Sequence, residues 1–206
     1  MLRIGVLVSG GGTNLQALMD YMELHQVKAE IVTVVSNRKN AYALARAEVK
    51  SIPTQVISPR DFSESYAFNE ALMNHFNQYK VNLVVMAGYL VVIGDPFVSA
   101  YKNKIINIHP SLIPAFCGDG YYGLKVHEAA LKKGVKLTGA TVHFVDEGTD
   151  TGPIIMQKAV EVRNSDTPKS IQERVMTEAE WVILPKVVEK IANNKIRVED
   201  NQVIVD

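Results

Sequence analysis

Apolar positions fall in short runs separated by segments with helical spacing. Residues 2–8, 30–35, 53–57, 81–87 and 105–108 are rich in Val, Ile and Leu, the pattern of strands buried on both faces. Between them lie stretches whose apolar residues recur three and four apart. Leu15, Leu18, Met19 and Met22 form one stripe, and Phe68, Leu72 and Phe76 form another within a helix expected over 62–79. Shorter helices are expected over 41–51 and 96–101. This alternation predicts an α/β fold with a doubly wound, mostly parallel sheet.

The pattern changes after residue 114. Residues 115–123, AFCGDGYYG, are irregular and glycine-rich, and a helix follows over 124–133. Two strands, 135–145 and 154–162, flank the acidic loop DEGTDTGP, which predicts an antiparallel extension of the sheet. Gly139 inside the first marks a bulge or a close approach. Thr167 and Pro168 open a long helix with Ile171, Val175, Val182 and Ile183 on its apolar side, kinked by Pro185. Residues 195–198 and 202–205 read as a hairpin. A single domain over 1–206 is expected, with a parallel half, 1–108, and a mixed half, 109–206.

Composition narrows the classes of function. The chain has 206 residues, 47% of them hydrophobic, enough for a full core. Lys plus Arg and Asp plus Glu are 22 each, a zero net charge that argues against nucleic acid or an anionic membrane as partner. One cysteine, Cys117, rules out an intrachain disulfide framework. With no long apolar span and no leader pattern, a cytoplasmic protein is expected.

Candidate chemistry concentrates in IINIHPSLIP, residues 105–114. In an extended chain side chains two apart share a face, so Asn107 and His109 leave the strand side by side. An amide donor beside an imidazole can polarise a carbonyl and move a proton. A second candidate is SGGGTNLQAL. Gly10, Gly11 and Gly12 allow a tight turn, Thr13 or Asn14 can cap the following helix, and free amides there make an anion site or simply a turn. The dinucleotide fingerprint fails, because its third glycine position holds Leu15, and the Gly-Lys-Ser/Thr phosphate loop is absent. A phosphate or carboxylate fits better than a nicotinamide cofactor. The apolar loop 89–93 can line a pocket for a flat ring or belong to the core. His25 and His75 are expected at the surface, His127 as structural or solvated, and His143 as a hydrogen-bonded core residue. Cys117 has no base near it in sequence.

IINIHPSLIP, with HFVDEGTDTGPII some forty residues later, resembles the signature of the folate-dependent formyltransferases, and the likeness covers essentially the whole chain. SGGGTNLQAL resembles the phosphate loop of the branch that acts in purine synthesis. The resemblance implies a formyl transfer from 10-formyltetrahydrofolate to the amine of glycinamide ribonucleotide. It implies Asn107, His109 and Asp150 as the catalytic group, and Gly12, Thr13 and Asn14 as the phosphate site. It also implies Thr177, Glu178, Ala179 and Glu180 at the ribonucleotide. Leu90, Val91, Val92 and Ile93, with Asp146, Glu147, Gly148, Thr149 and Asp150, would wrap the reduced folate. Asn107 would touch the folate as well as take part in catalysis. No metal is implied, and the partners would be small molecules, with no nucleic acid and no membrane. The protein would be a monomer or homodimer. A cis bond before Pro114 is also implied. Three features depart from better-known members of the family: the loop 115–123 is longer, Val91 stands where arginine is common, and the helix before Glu180 is one residue longer. Rival readings are a formyltetrahydrofolate hydrolase, for which a preceding regulatory domain is expected, a transferase acting on tRNA, which needs a further C-terminal domain, and a folate- or nucleotide-binding module without turnover.

Overall fold

A computed structural model describes residues 1–206. Its main sheet has seven strands in the order β3-β2-β1-β4-β5-β6-β7, a doubly wound, mostly parallel α/β arrangement with an antiparallel last pair. The chain divides into two units, Met1–Asn107 and Ile108–Asp206.

In the first unit β1 (Leu2–Val8), β2 (Ala29–Ser36), β3 (Thr54–Val56), β4 (Leu83–Met86) and the start of β5 (Ile105–His109) pair in parallel. They alternate with α1 (Thr13–Leu24), α2 (Tyr42–Val49), α3 (Ser65–Gln78) and α4 (Asp95–Ala100). The central strands are mostly apolar because both faces are covered: Ile4, Val6, Leu7, Val34, Val84 and Ile105 are all fully buried, whereas the edge strand β3 has no buried residue. The predicted stripe on α3 is the buried one, and its Phe76 packs against Phe97 and Tyr101 near α4. Winding runs from β1 to β2 to β3 on one side and resumes with β4 on the other side of β1. The ends of β1 and β4 therefore form a topological switch point, where ligands of such sheets bind.

Two expectations are corrected here. Neither Thr13 nor Asn14 caps α1. The N-cap is Gly12, at φ 71°, because a Cβ there would lie 2.5 Å from the Cβ of Ala43. His75 is not a surface residue: its Nε2 lies 2.8 Å from the hydroxyl of buried Thr33, and burial lowers its pKa.

In the second unit α5 (Leu124–Lys133) precedes the antiparallel pair β6 (Leu137–Phe144) and β7 (Ile154–Glu161). Gly139 marks a close approach, since a Cβ there would meet the carbonyl oxygen of Lys158 at 2.0 Å. The cis bond Ile113–Pro114 is present. Gln157 on β7 donates to Ile113 O and to Thr141 Oγ1, and that hydroxyl donates to Ser111 O, which ties the turn to the sheet.

Thr167 caps α6 (Pro168–Val175) reciprocally with Ser170. The expected single long helix is interrupted. A π-turn over Met176–Glu180 separates α6 from α7 (Trp181–Ala192), which contains Pro185. A π-turn holds one more residue than an α-turn. The chain ends in the hairpin of β8 (Ile196–Glu199) and β9 (Gln202–Val205).

Candidate active site

Chemistry-bearing residues gather in both units. In the first, the loops at the switch point are tied together. Ser9 Oγ donates to Asn37 Oδ1 at 2.6 Å and accepts from Leu90 N at 2.9 Å, which links the end of β1 to the loop after β4. The glycine loop is held from outside. Ala43 N donates to Gly10 O at 3.1 Å, and Arg46 donates to Gly11 O at 2.8 Å and to Gln16 at 3.0 Å. The amides opening α1 carry no acidic side chain in the first turn, so the positive end of the helix is left for an anion. In the loop after β4, Leu90 and Val92 are 50% and 80% exposed, an apolar pair open to solvent, whereas Ile93 is turned into the core.

Asn107 and His109 lie two apart on β5, as the alternation required. In the second unit His109 is nearly buried, and its Nδ1 is 3.4 Å from Asp150 Oδ2. Its Nε2 is 2.9 Å from the carbonyl oxygen of Phe116. A carbonyl only accepts, so Nε2 carries the proton of the neutral ring and Nδ1 is the nitrogen turned to the carboxylate. Burial pulls the His109 pKa below its ordinary value, against the opposing pull of the Asp150 charge and the Phe116 carbonyl. For Asp150, burial works to raise the carboxyl. The His143 hydrogen bond, the His109 charge and the Gly118 amide at 3.0 Å outweigh it, and the pKa falls below the usual range. Asp150 sits at φ 58°, a conformation that Asp tolerates better than most residues.

The long loop is therefore tied to the His109–Asp150 pair through its backbone. Phe116, itself at φ 51°, offers its carbonyl to His109, and Gly118 its amide to Asp150. Asp119 accepts from Thr149 at 3.1 Å. Cys117 donates to Pro114 O at 3.3 Å, and burial and Asp150 raise its thiol pKa, the reverse of an activated nucleophile. Asp146 closes the acidic loop by accepting from Thr151 and Gly148, while Glu147, Gly148 and Thr149 are exposed.

Of the four residues expected at the ribonucleotide, all on the π-turn, Glu180 is 6% exposed and Ala179 is fully buried, so Ala179 presents no side chain to a ligand. Glu178 is exposed, and Thr177 donates its hydroxyl back to Glu173 O. His143 is the hydrogen-bonded core residue expected, at 2.8 Å from Phe144 O, but sequence reasoning missed that its Nε2 lies 3.5 Å from Asp150 Oδ1. The only signal was its position in the strand that runs into the acidic loop. It also missed the backbone groups of Phe116 and Gly118, which no side-chain pattern can reveal. No group of His, Cys, Asp and Glu is arranged to hold a metal ion, and no helix is long and apolar enough to cross a membrane.

Comparison with known proteins places relatives on this geometry. A family profile described as formyl transferase matches residues 2–188. The phosphoribosylglycinamide formyltransferase of Bacillus subtilis is 38% identical over 192 residues, covering 93% of this chain and 95% of that protein. The trifunctional purine biosynthetic protein adenosine-3 of Chironomus tentans is 40% identical over 200 residues. The match covers 96% of this chain but spans only 14% of the insect protein's length. The crystal structure of glycinamide ribonucleotide transformylase 1 from Symbiobacterium toebii superposes with a TM-score of 0.93 at 40% identity, covering 100% of this chain and 94% of that one.

Proposed function

The chain belongs to the formyl transferase family, enzymes that transfer a one-carbon group, and we propose that it moves the formyl group of 10-formyltetrahydrofolate to the amine of glycinamide ribonucleotide. The products are the formylated ribonucleotide of purine biosynthesis and tetrahydrofolate. The names and full-length match of the bacterial relatives support this acceptor. One observation carries the chemistry: the Asp150 carboxylate stands 3.4 Å from His109 Nδ1, with Asn107 two residues earlier on the same strand.

The amine attacks the formyl carbon, and negative charge develops on the formyl oxygen. Asn107 donates to that oxygen, and His109 in its charged form sets a positive charge beside it. The amine loses a proton, the N10 nitrogen of the departing folate gains one, and His109 relays it. A free imidazole has a pKa of about 6.5, so at neutral pH the charged ring needs the Asp150 carboxylate beside it. No covalent enzyme intermediate is required, which agrees with the raised thiol pKa of Cys117.

Gly12, Thr13 and Asn14 hold the substrate phosphate at the start of α1, and the π-turn residues, Glu180 foremost, engage the ribonucleotide. In the first unit the exposed Leu90 and Val92 offer apolar surface suited to the flat pterin ring, and in the second unit the loop from Asp146 to Asp150 offers hydrogen-bonding groups for the folate.

The test follows folate absorbance in purified protein given 10-formyltetrahydrofolate, with and without glycinamide ribonucleotide. Deformylation only with the ribonucleotide is the expected result. Deformylation without it would make the protein a hydrolase, and folate binding without turnover would make it a binding module.

A further inference from the structure

His143 is an ionisable side chain at the Asp150 carboxylate that the transfer chemistry leaves without a task. It is 2% exposed, near the end of β6. Its Nδ1 lies 2.8 Å from the carbonyl oxygen of Phe144. That carbonyl can only accept, so Nδ1 bears the proton of the neutral ring and Nε2 bears a lone pair. Yet Nε2 is the atom that faces Asp150 Oδ1, at 3.5 Å. A lone pair against a carboxylate oxygen repels, and the contact turns attractive only when a proton lies between the two. His109 is built in the same way, with Nε2 on the Phe116 carbonyl and Nδ1 toward Oδ2. One carboxylate thus serves two imidazoles, one on each oxygen, and each needs a proton on the nitrogen that faces it.

We propose that His143 is a positioning residue of the formyl-transfer centre, sharing Asp150 with His109 and competing with it for the proton that the transfer moves. The proposal rests on the transfer reading above. Two neutral rings, one carboxylate and one added proton sum to zero charge. A second added proton would leave a net positive charge in buried surroundings, which burial opposes. The single proton is therefore divided between two stations. On the His109 side it is available to the reaction. On the His143 side it leaves His109 neutral and able to take the amine proton. No proton is consumed: an N–H bond of the amine breaks and the N10–H bond of tetrahydrofolate forms.

Other ionisable groups lie around the pair. Cys117, on the loop, feels the Asp150 charge, and His127 on α5 feels that of His109. Of the elements packed against β6, the π-turn brings the buried Glu180 and the exposed Glu178, and β7 brings the exposed Lys158 and Glu161. The helix α6 brings Lys169, Glu173 and Arg174, and α7 brings Lys186, Glu189 and Lys190.

Two variants separate the possibilities. His143→Gln keeps an N–H donor near the position of Nε2 but does not titrate, and His143→Leu removes the donor. The His109 ring is titrated by NMR in labelled protein without substrate, and formyl transfer is followed across pH. In His143→Gln the His109 midpoint should rise by about half a pH unit or more, because the competing cation is gone. The alkaline limb of the rate profile should rise with it, with KM for both substrates little changed. In His143→Leu kcat should fall about 10- to 100-fold, the usual cost of losing a group that orients a reactive one. An unchanged His109 midpoint in His143→Gln, or equal rates in the two variants, overturns the proposal. The native protein gives an independent reading. A carboxylate shared with a second ring makes the His109 signal titrate in two steps, and a single His109 step overturns the idea even if a variant does not fold. Because the titrations need no substrate, their outcome is separate from a failure of the transfer reading, which would show as no ribonucleotide-dependent turnover in the native protein.

Discussion

At the scale of single residues, the reactive centre works against its own burial. Burial lowers the His109 pKa, and the Asp150 charge opposes it. Asp150→Asn removes that charge while keeping the shape and the tolerance for φ 58°. The His109 midpoint should therefore move further down. The alkaline limb of the rate profile should follow it, and the rate at pH 7 should fall about 10²- to 10³-fold. A rate profile with an unmoved alkaline limb would break the coupling between the two residues. His109→Ala should fold normally and lose about 10²- to 10⁴-fold in rate, which circular dichroism and the same assay would read together. Gly12 carries a different constraint. Gly12→Ala meets both the positive φ and the Ala43 side chain, so denaturant titration should show a loss of about 2–3 kcal/mol and the KM for the ribonucleotide should rise. Adding Ala43→Gly should recover only a fraction of the clash, because the Cα of residue 43 would still lie 2.7 Å away, and should leave the part due to φ. The pair Asn107 and His109 was legible in the sequence because period-two alternation fixes a shared face. His143 was not, because a histidine in a buried strand looks the same whether it meets a carbonyl or a carboxylate.

At the scale of elements, legibility followed periodicity. The stripe Phe68, Leu72 and Phe76 and the apolar runs of β1 and β4 announced themselves, and the structure mainly trims their ends, for example to Ser65–Gln78 and Leu83–Met86. The π-turn did not, because the apolar residues on either side keep helical spacing and only the count between them is off by one. In the structure Val175 and Glu180 are five apart and both buried. Deleting the exposed Thr177 makes them four apart, about one α-turn, so both stay on the same face. That variant should melt within a few degrees of the native protein and keep its ribonucleotide KM within severalfold. Inserting an alanine after Thr177 should instead turn Glu180 by about 100° relative to α6, lower the melting point and raise that KM. Equal effects of deletion and insertion would mean that the extra residue has no bearing on where Glu180 points.

At the scale of the whole molecule, the same buried groups decide how the fold meets acid. His127 is fully buried on α5, with no hydrogen-bonding partner at either ring nitrogen. Burial, helped by the charge of His109, pushes its pKa down to about 4. In the unfolded chain the ring takes up a proton near pH 6.5. The unfolded state therefore binds more protons than the folded one between these values, and stability must fall as pH falls through that window. The loss amounts to about 3 kcal/mol for a shift of this size and levels off below pH 4. His75 and His109, also lowered, add to it with the same sign. Asp150 and Asp166 act lower down. Their folded pKa values are depressed, so their contribution is intact above the ordinary carboxylate range and is lost as pH drops through it. Acid should thus weaken the protein in two stages, the first set by buried histidine and the second by paired carboxylates. Urea titrations at steps from pH 7.5 to 3.5 would resolve them. His127→Leu and His127→Gln should both flatten the first stage and leave the second in place, because neither side chain titrates. A first stage of unchanged slope in both variants would place the acid-sensitive group elsewhere.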